Sequence, residues 1–148
     1  MSGHQVGGDH YQGMTIQPTE YWRANHLNGD EAAVVSYASR WKLKGGVQDL
    51  QKARHHIQFL LDDDRYARRL QTIAALTKAG ALYRDNILPG AYAHANGLPQ
   101  HERNIVRAIT VWNHTGGRSC LLEASQWLDE LIAVAQVEFS PRPDHHPV

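Results

Sequence analysis

Only one cysteine, Cys120, occurs in the 148 residues, which excludes an intramolecular disulfide framework and fits a reducing compartment. Charge of either sign is not in excess. Fifteen basic residues offset fifteen acidic ones, so no whole-molecule field draws the chain to nucleic acid, and any anion site has to be local. No window approaches the roughly 20 apolar residues that cross a bilayer, and the opening MSGHQVGGDHYQG has no apolar stretch after a basic start. These absences predict a soluble cytoplasmic protein with no membrane partner. No stretch alternates apolar and polar residues with period two, so strands are not expected. A P-loop is missing as well: in WKLKGG the glycines follow the lysines, opposite to the GxxxxGK[ST] order that cradles phosphates.

What the sequence does contain is repetition. An offset of 71 residues lays LNGDEAAVVSYASRWKLKGGVQDLQKARHHIQFLL (27–61) on LPQHERNIVRAITVWNHTGGRSCLLEASQWLDELI (98–132) without a gap. Leu27, Glu31, Trp41, Gly45, Gly46, Leu50, Ala53 and Leu60 fall on Leu98, Glu102, Trp112, Gly116, Gly117, Leu121, Ala124 and Leu131. Upstream, Ile16, Pro18, Tyr21, Ala24 and Asn25 fall on Ile87, Pro89, Tyr92, Ala95 and Asn96. Such a register reads as a tandem duplication.

Within each copy the apolar spacing is helical. Val34, Tyr37, Ala38 and Trp41 recur at three and four residues, as do Ile105, Ala108, Ile109 and Trp112. Leu50, Ala53, Ile57 and Leu60/Leu61 continue the first copy, and Leu121, Ala124, Leu128 and Leu131/Ile132 the second. Gly-Gly between the two runs supplies the left-handed conformation that ends a helix. A short helix is expected after Pro18 and after Pro89, because proline is tolerated in a first helical turn. Glu31 and Glu102 then fall in first turns, where an acidic side chain complements the helix dipole. One amphipathic hairpin cannot bury its stripe alone, but two can bury theirs together. The expected fold is all-α, with two tandem helical-hairpin repeats packed as a pseudo-twofold helical bundle. Residues 1–9 form a flexible N-terminus, 10–62 the first repeat, 63–81 a connecting helix, 82–139 the second repeat, and 140–148 a disordered tail.

The copies keep their glycines, tryptophan and apolar positions but not their charges. Arg40, Lys44, Asp49 and Lys52 correspond to Val111, Thr115, Cys120 and Glu123. A chemical site is therefore expected in the first copy alone. Lys44 follows one helix, the amides of Gly46 and Val47 open the next, and a helix N-terminus carries roughly half a positive charge. Arg40 and Lys52 border the same turn at one-turn spacings. Tyr11 and Trp22, with Leu82 and Ala93 at their equivalents, are the aromatic candidates for stacking on a base, ahead of Tyr37 and the repeated Trp41. His10, His55 or His56 could handle a proton near neutral pH. No carboxylate pair marks a magnesium site, no HExxH marks zinc, and neighbouring His55 and His56 point about 100° apart on a helix. No metal and no cofactor are expected.

DHYQGMTIQPTEYW followed by SYASRWKLKGGVQDLQKARHHIQFLLD resembles a small family of tailed-phage proteins commonly labelled nucleotide kinase, with an HY...I.P opening and an R(Y/W)K.KGG..DL.KA core. The resemblance covers about residues 9–62. It implies binding of a phosphorylated nucleotide, or phosphoryl transfer between nucleotides, in the cytoplasm of an infected bacterium. By motif match the positions concerned are His10, Tyr11, Arg40, Lys42, Lys44, Asp49 and Lys52, around Gly45 and Gly46, with His56 where the family has an aromatic residue. It also implies self-assembly into a homo-oligomer as an option. Three activities fit these residues: a kinase without a P-loop, a non-catalytic sponge that hides a nucleotide signal from a host defence, and an all-α nucleotide pyrophosphohydrolase. The acidic residues do not repeat as the last requires, and nucleic acid is disfavoured as a partner.

Overall fold

The structure is a computed structural model that describes residues 14–63 and 87–139. Among these residues there are six helices and no strand: α1 (Pro18–Ala24), α2 (Gly29–Arg40), α3 (Val47–Asp62), α4 (Pro89–Ala95), α5 (Gln100–Thr115) and α6 (Arg118–Phe139). The class is all-α. The termini and most of the expected connecting helix lie outside the described residues.

Local chemistry explains the starts. Pro18 and Pro89 occupy first turns of α1 and α4, where a missing N–H costs nothing. At α2 a capping box closes in both directions: the Glu31 N–H donates to Asn28 Oδ1, and the Asn28 N–H donates to Glu31 Oε1, each at 2.8 Å. The four longer helices form a closed cycle in which α2 packs on α3, α3 on α6, α6 on α5 and α5 on α2, with α1 laid on α2 and α4 on α5. Their facing stripes, including Val34, Leu50, Ile57, Ile105, Ile109, Leu121 and Leu128, are buried, and each such side chain contributes roughly 1.5–3 kcal/mol relative to exposure. Tyr37, placed by its spacing on the core stripe of α2, is only half-buried.

Across the bundle, polar contacts come in pairs. The Asn25 amide donates to the carbonyl of Ile87 at 2.9 Å, and the Asn96 amide to the carbonyl of Ile16 at 2.8 Å. Tyr21 bonds Thr110 at 2.6 Å while Tyr92 bonds Ser39 at 2.7 Å. Burial, only partly opposed by the Thr110 bond, drives the Tyr21 phenol well above its ordinary pKa, so this hydroxyl keeps its proton.

Glu31 and Glu102 stand in first helical turns as expected, and both are also buried and face the opposite half of the molecule. Glu102 Oε2 accepts from Trp41 Nε1 at 2.9 Å, and Glu31 Oε1 accepts from the Asn113 amide at 2.8 Å. The two glycine pairs also differ in how they turn the chain. In the first it is Gly46 that has positive φ, +61°, whereas in the second it is Gly116, at 72°, although Gly116 corresponds to Gly45.

Candidate functional site

The difference between the turns begins with Asp49. Its carboxylate lies in the first turn of α3, 3% exposed, where Oδ2 accepts the Gly45 N–H at 3.2 Å and faces Arg40 Nε at 3.4 Å. A Cβ on residue 45 would run into that carboxylate, so any other residue there has to displace it. Helix α2 consequently ends at Arg40, and Trp41–Gly46 form a wide turn closed by the Gly46 N–H donating to the Trp41 carbonyl at 2.7 Å. In the second half Cys120 replaces Asp49, α5 runs on to Thr115, and the Gly116 N–H closes a tighter turn on Trp112. The KGG..D spacing is thus explained by the turn: one glycine makes room for an acid, and the next takes a backbone conformation that side chains rarely adopt.

This arrangement changes the expected anion site. The Gly46 amide is already bonded, and the protein's own carboxylate occupies the N-terminal turn of α3. What converges instead is a group on the outer face of α2 and α3, centred on the Tyr37 ring. The Arg40 guanidinium lies 4.8 Å from the ring centroid and Lys52 Nζ 5.8 Å. His56 stacks at 6.0 Å and is anchored by its Nδ1 contact with Asp30 Oδ1 at 2.9 Å. Beside them lies a shallow depression of about 300 Å³, lined by Gln48, Gln51, Lys52, His55 and His56.

The other candidate residues separate into distinct places. Lys44 stands exposed on the wide turn. Lys42 is also exposed, with Nζ 5.5 Å from the Trp41 ring, and lines a different groove with Glu102 and Asn96. Trp22 sits on α1, packed against the core, with the Arg23 guanidinium 5.6 Å from its ring. His10 and Tyr11 lie outside the described residues. Sequence reasoning ranked Tyr37 low, because helical spacing alone assigned it to the core. Its one signal was Ala108 at the corresponding position.

On the second hairpin the corresponding face has different chemistry. Positions matching Tyr37, Arg40, Lys52 and His56 hold Ala108, Val111, Glu123 and Trp127. There Glu123 pairs with Arg107 at 3.0 Å, and His101 meets the Trp127 ring edge-on. The Cys120 thiol beside them is pushed up in pKa, mainly by burial and then by Glu123, which disfavours the nucleophilic thiolate. Among the described residues no three His, Cys, Asp or Glu side chains are placed to share a metal ion, and no helix is long and apolar enough to cross a membrane. No known protein family, curated protein or solved structure matches the chain.

Proposed function

We propose that the first hairpin binds a small phosphorylated ligand of the nucleotide type on the face shared by α2 and α3. The observation that carries this reading is the approach of Arg40 and Lys52 to one aromatic ring beside a depression, with no counterpart at the matching positions of the second hairpin. Arg40 is held by Asp49 and acts as a fixed charge, while Lys52 at the edge of the depression can reach phosphate oxygens. Gln48, Gln51 and His55 supply donors and acceptors for a base or ribose, and the depression suits a ligand lying on the surface. The family resemblance of residues 9–62 supports the same ligand class. Binding is the function assigned, and the kinase reading rests on that resemblance alone.

The test is native mass spectrometry of the purified chain against a mixture of nucleoside mono-, di- and triphosphates and cyclic nucleotides. Lys52→Ala should weaken the retained species about tenfold, the effect of losing one charge-assisted hydrogen bond. Glu123→Ala and Thr115→Ala, at the matching positions, should leave retention unchanged. Equal losses from both faces would refute the assignment. A retained ligand of unchanged mass identifies a sponge, new di- or triphosphates a kinase, and pyrophosphate release a hydrolase.

A further inference from the structure

The two buried glutamates that cross the bundle are not equally satisfied. Glu31 Oε1 accepts both the Asn28 N–H and the Asn113 amide, each at 2.8 Å. Glu102, 2% exposed, lacks both donors. The residue preceding its helix is Pro99, which has no N–H to offer, and the position corresponding to Asn113 is Lys42, whose side chain is exposed. Among the described residues the Trp41 indole alone bonds the carboxylate, through Oε2. Among the described residues nothing donates to Oε1. Yet Glu102 lines a groove of about 320 Å³ between the two halves, walled by Trp41, Lys42 and Leu43 on one side and by Asn96 and Pro99 on the other. Oε1 is not sealed from the groove that Glu102 lines, and a ligand reaching in can donate to it.

We propose that this groove is a second binding site, independent of the face on α2 and α3, for a small bipolar molecule that brings an N–H donor to Glu102 and an anionic group to Lys42. Trp41 holds the carboxylate in place from below, as its indole N–H is fixed to Oε2. Lys42 stands at the rim over the same tryptophan ring, and Leu43, 58% exposed, offers an apolar contact between the two poles. The volume is at the lower end for small-molecule sites. Two sources share this chemistry: an amino acid, through its ammonium and carboxylate, and a nucleotide, through an amino-bearing base and its phosphate.

The experiment follows the Trp41 indole N–H by ¹H–¹⁵N NMR while leucine is added in one arm and guanosine 5′-monophosphate in the other. A saturable shift in either arm supports the site and identifies the source. Glu102→Gln, which puts a donor where an acceptor is needed, should weaken that binding about tenfold or more. Pro99→Asn keeps the carboxylate but gives it the N–H that Asn28 gives Glu31, and should weaken binding comparably in a fully folded protein. It thus decides the question even if Glu102→Gln does not fold. Lys52→Ala should leave the shift intact, whatever becomes of nucleotide binding on the outer face. The proposal is overturned if neither probe moves the Trp41 resonance at millimolar concentration, if Pro99→Asn leaves binding unchanged, or if Lys52→Ala abolishes it.

Discussion

Tyr21 and Tyr92 meet at the centre of the bundle with ring centroids 4.4 Å apart, and each passes its hydroxyl to the opposite half, Tyr21 to Thr110 and Tyr92 to Ser39. Both rings are fully buried. The contact joins α1 and α4, the shortest helices, to the long helices of the other half. It therefore ties together elements that have little surface of their own.

Tyr21→Phe and Tyr92→Phe should each keep the ring contact and lose one buried hydrogen bond, lowering unfolding free energy by about 1 kcal/mol. The loss is limited because Thr110 and Ser39 still donate to the carbonyls of Val106 and Val35. Chemical denaturation measures both. The double variant should lose more than the sum if the two bonds support each other, since residues in contact are not additive.

Gly45→Ala is expected to cost about 1–3 kcal/mol, the range for overpacking, because its Cβ would meet the Asp49 carboxylate. Gly117→Ala should cost less than about 1 kcal/mol, as the residue opens α6 with only ordinary contacts around an added Cβ. In an Asp49→Ala background the Gly45→Ala penalty should largely vanish. A penalty that persists there would place the strain elsewhere in the turn.

His26 is the one non-glycine residue with positive φ among the described residues, at 56°, and the matching position holds Gly97 at 62°. A side chain in the left-handed region costs roughly 1–2 kcal/mol. His26→Gly should therefore stabilise the fold by about 1 kcal/mol, after allowing for the extra freedom of glycine in the unfolded chain. Its backbone carbonyl, which accepts from the Asn113 amide at 3.3 Å, is retained. Thermal melts of the two proteins compare them directly.

His114 has its pKa lowered, chiefly by burial and further by His26, with a backbone hydrogen bond at Asn25 opposing. Unfolding frees it to titrate near 6.5, the ordinary imidazole value. The unfolded chain thus binds more protons below that pH, so this contribution to stability is complete above about pH 6.5 and is lost as pH falls towards the folded value. Melting temperatures between pH 7.5 and 5 should decline less steeply in His114→Gln than in the natural sequence. Parallel declines would assign the acid sensitivity to other groups.

The apolar period of three and four, the prolines at helix starts and the glycine pairs were enough to read the six helical segments of the described residues and an all-α class. These are local properties: one helix face, one missing N–H or one strained φ is written in adjacent residues. Arg40 and Lys52 were also legible together, since helical spacing brings them to one end of a hairpin. Asp49 and His56 joined them as ligand positions only through the motif resemblance, and Lys44, grouped with the two cations by the same spacing, stands apart on the turn. Tyr37, placed by its spacing on the apolar stripe, packs against the core but stays half-buried, because periodicity assigns a face but not how far a neighbouring helix covers it. Likewise Asp49, read as a ligand group, turned out to fill the helix start that the ligand was expected to occupy.

The chain's own order of residues thus determined where helices begin, where they stop and which side of each is apolar, because backbone sterics and side-chain spacing act over a few residues. Tertiary packing alone decided which polar groups would be buried and what they would meet. Glu31 and Glu102 stand alike in first helical turns, and one difference between them, Asn28 before the first and Pro99 before the second, is already written in the sequence. Only the opposite half of the bundle, which sets Asn113 against Glu31 and the Trp41 indole against Glu102, decides what each carboxylate meets across the core.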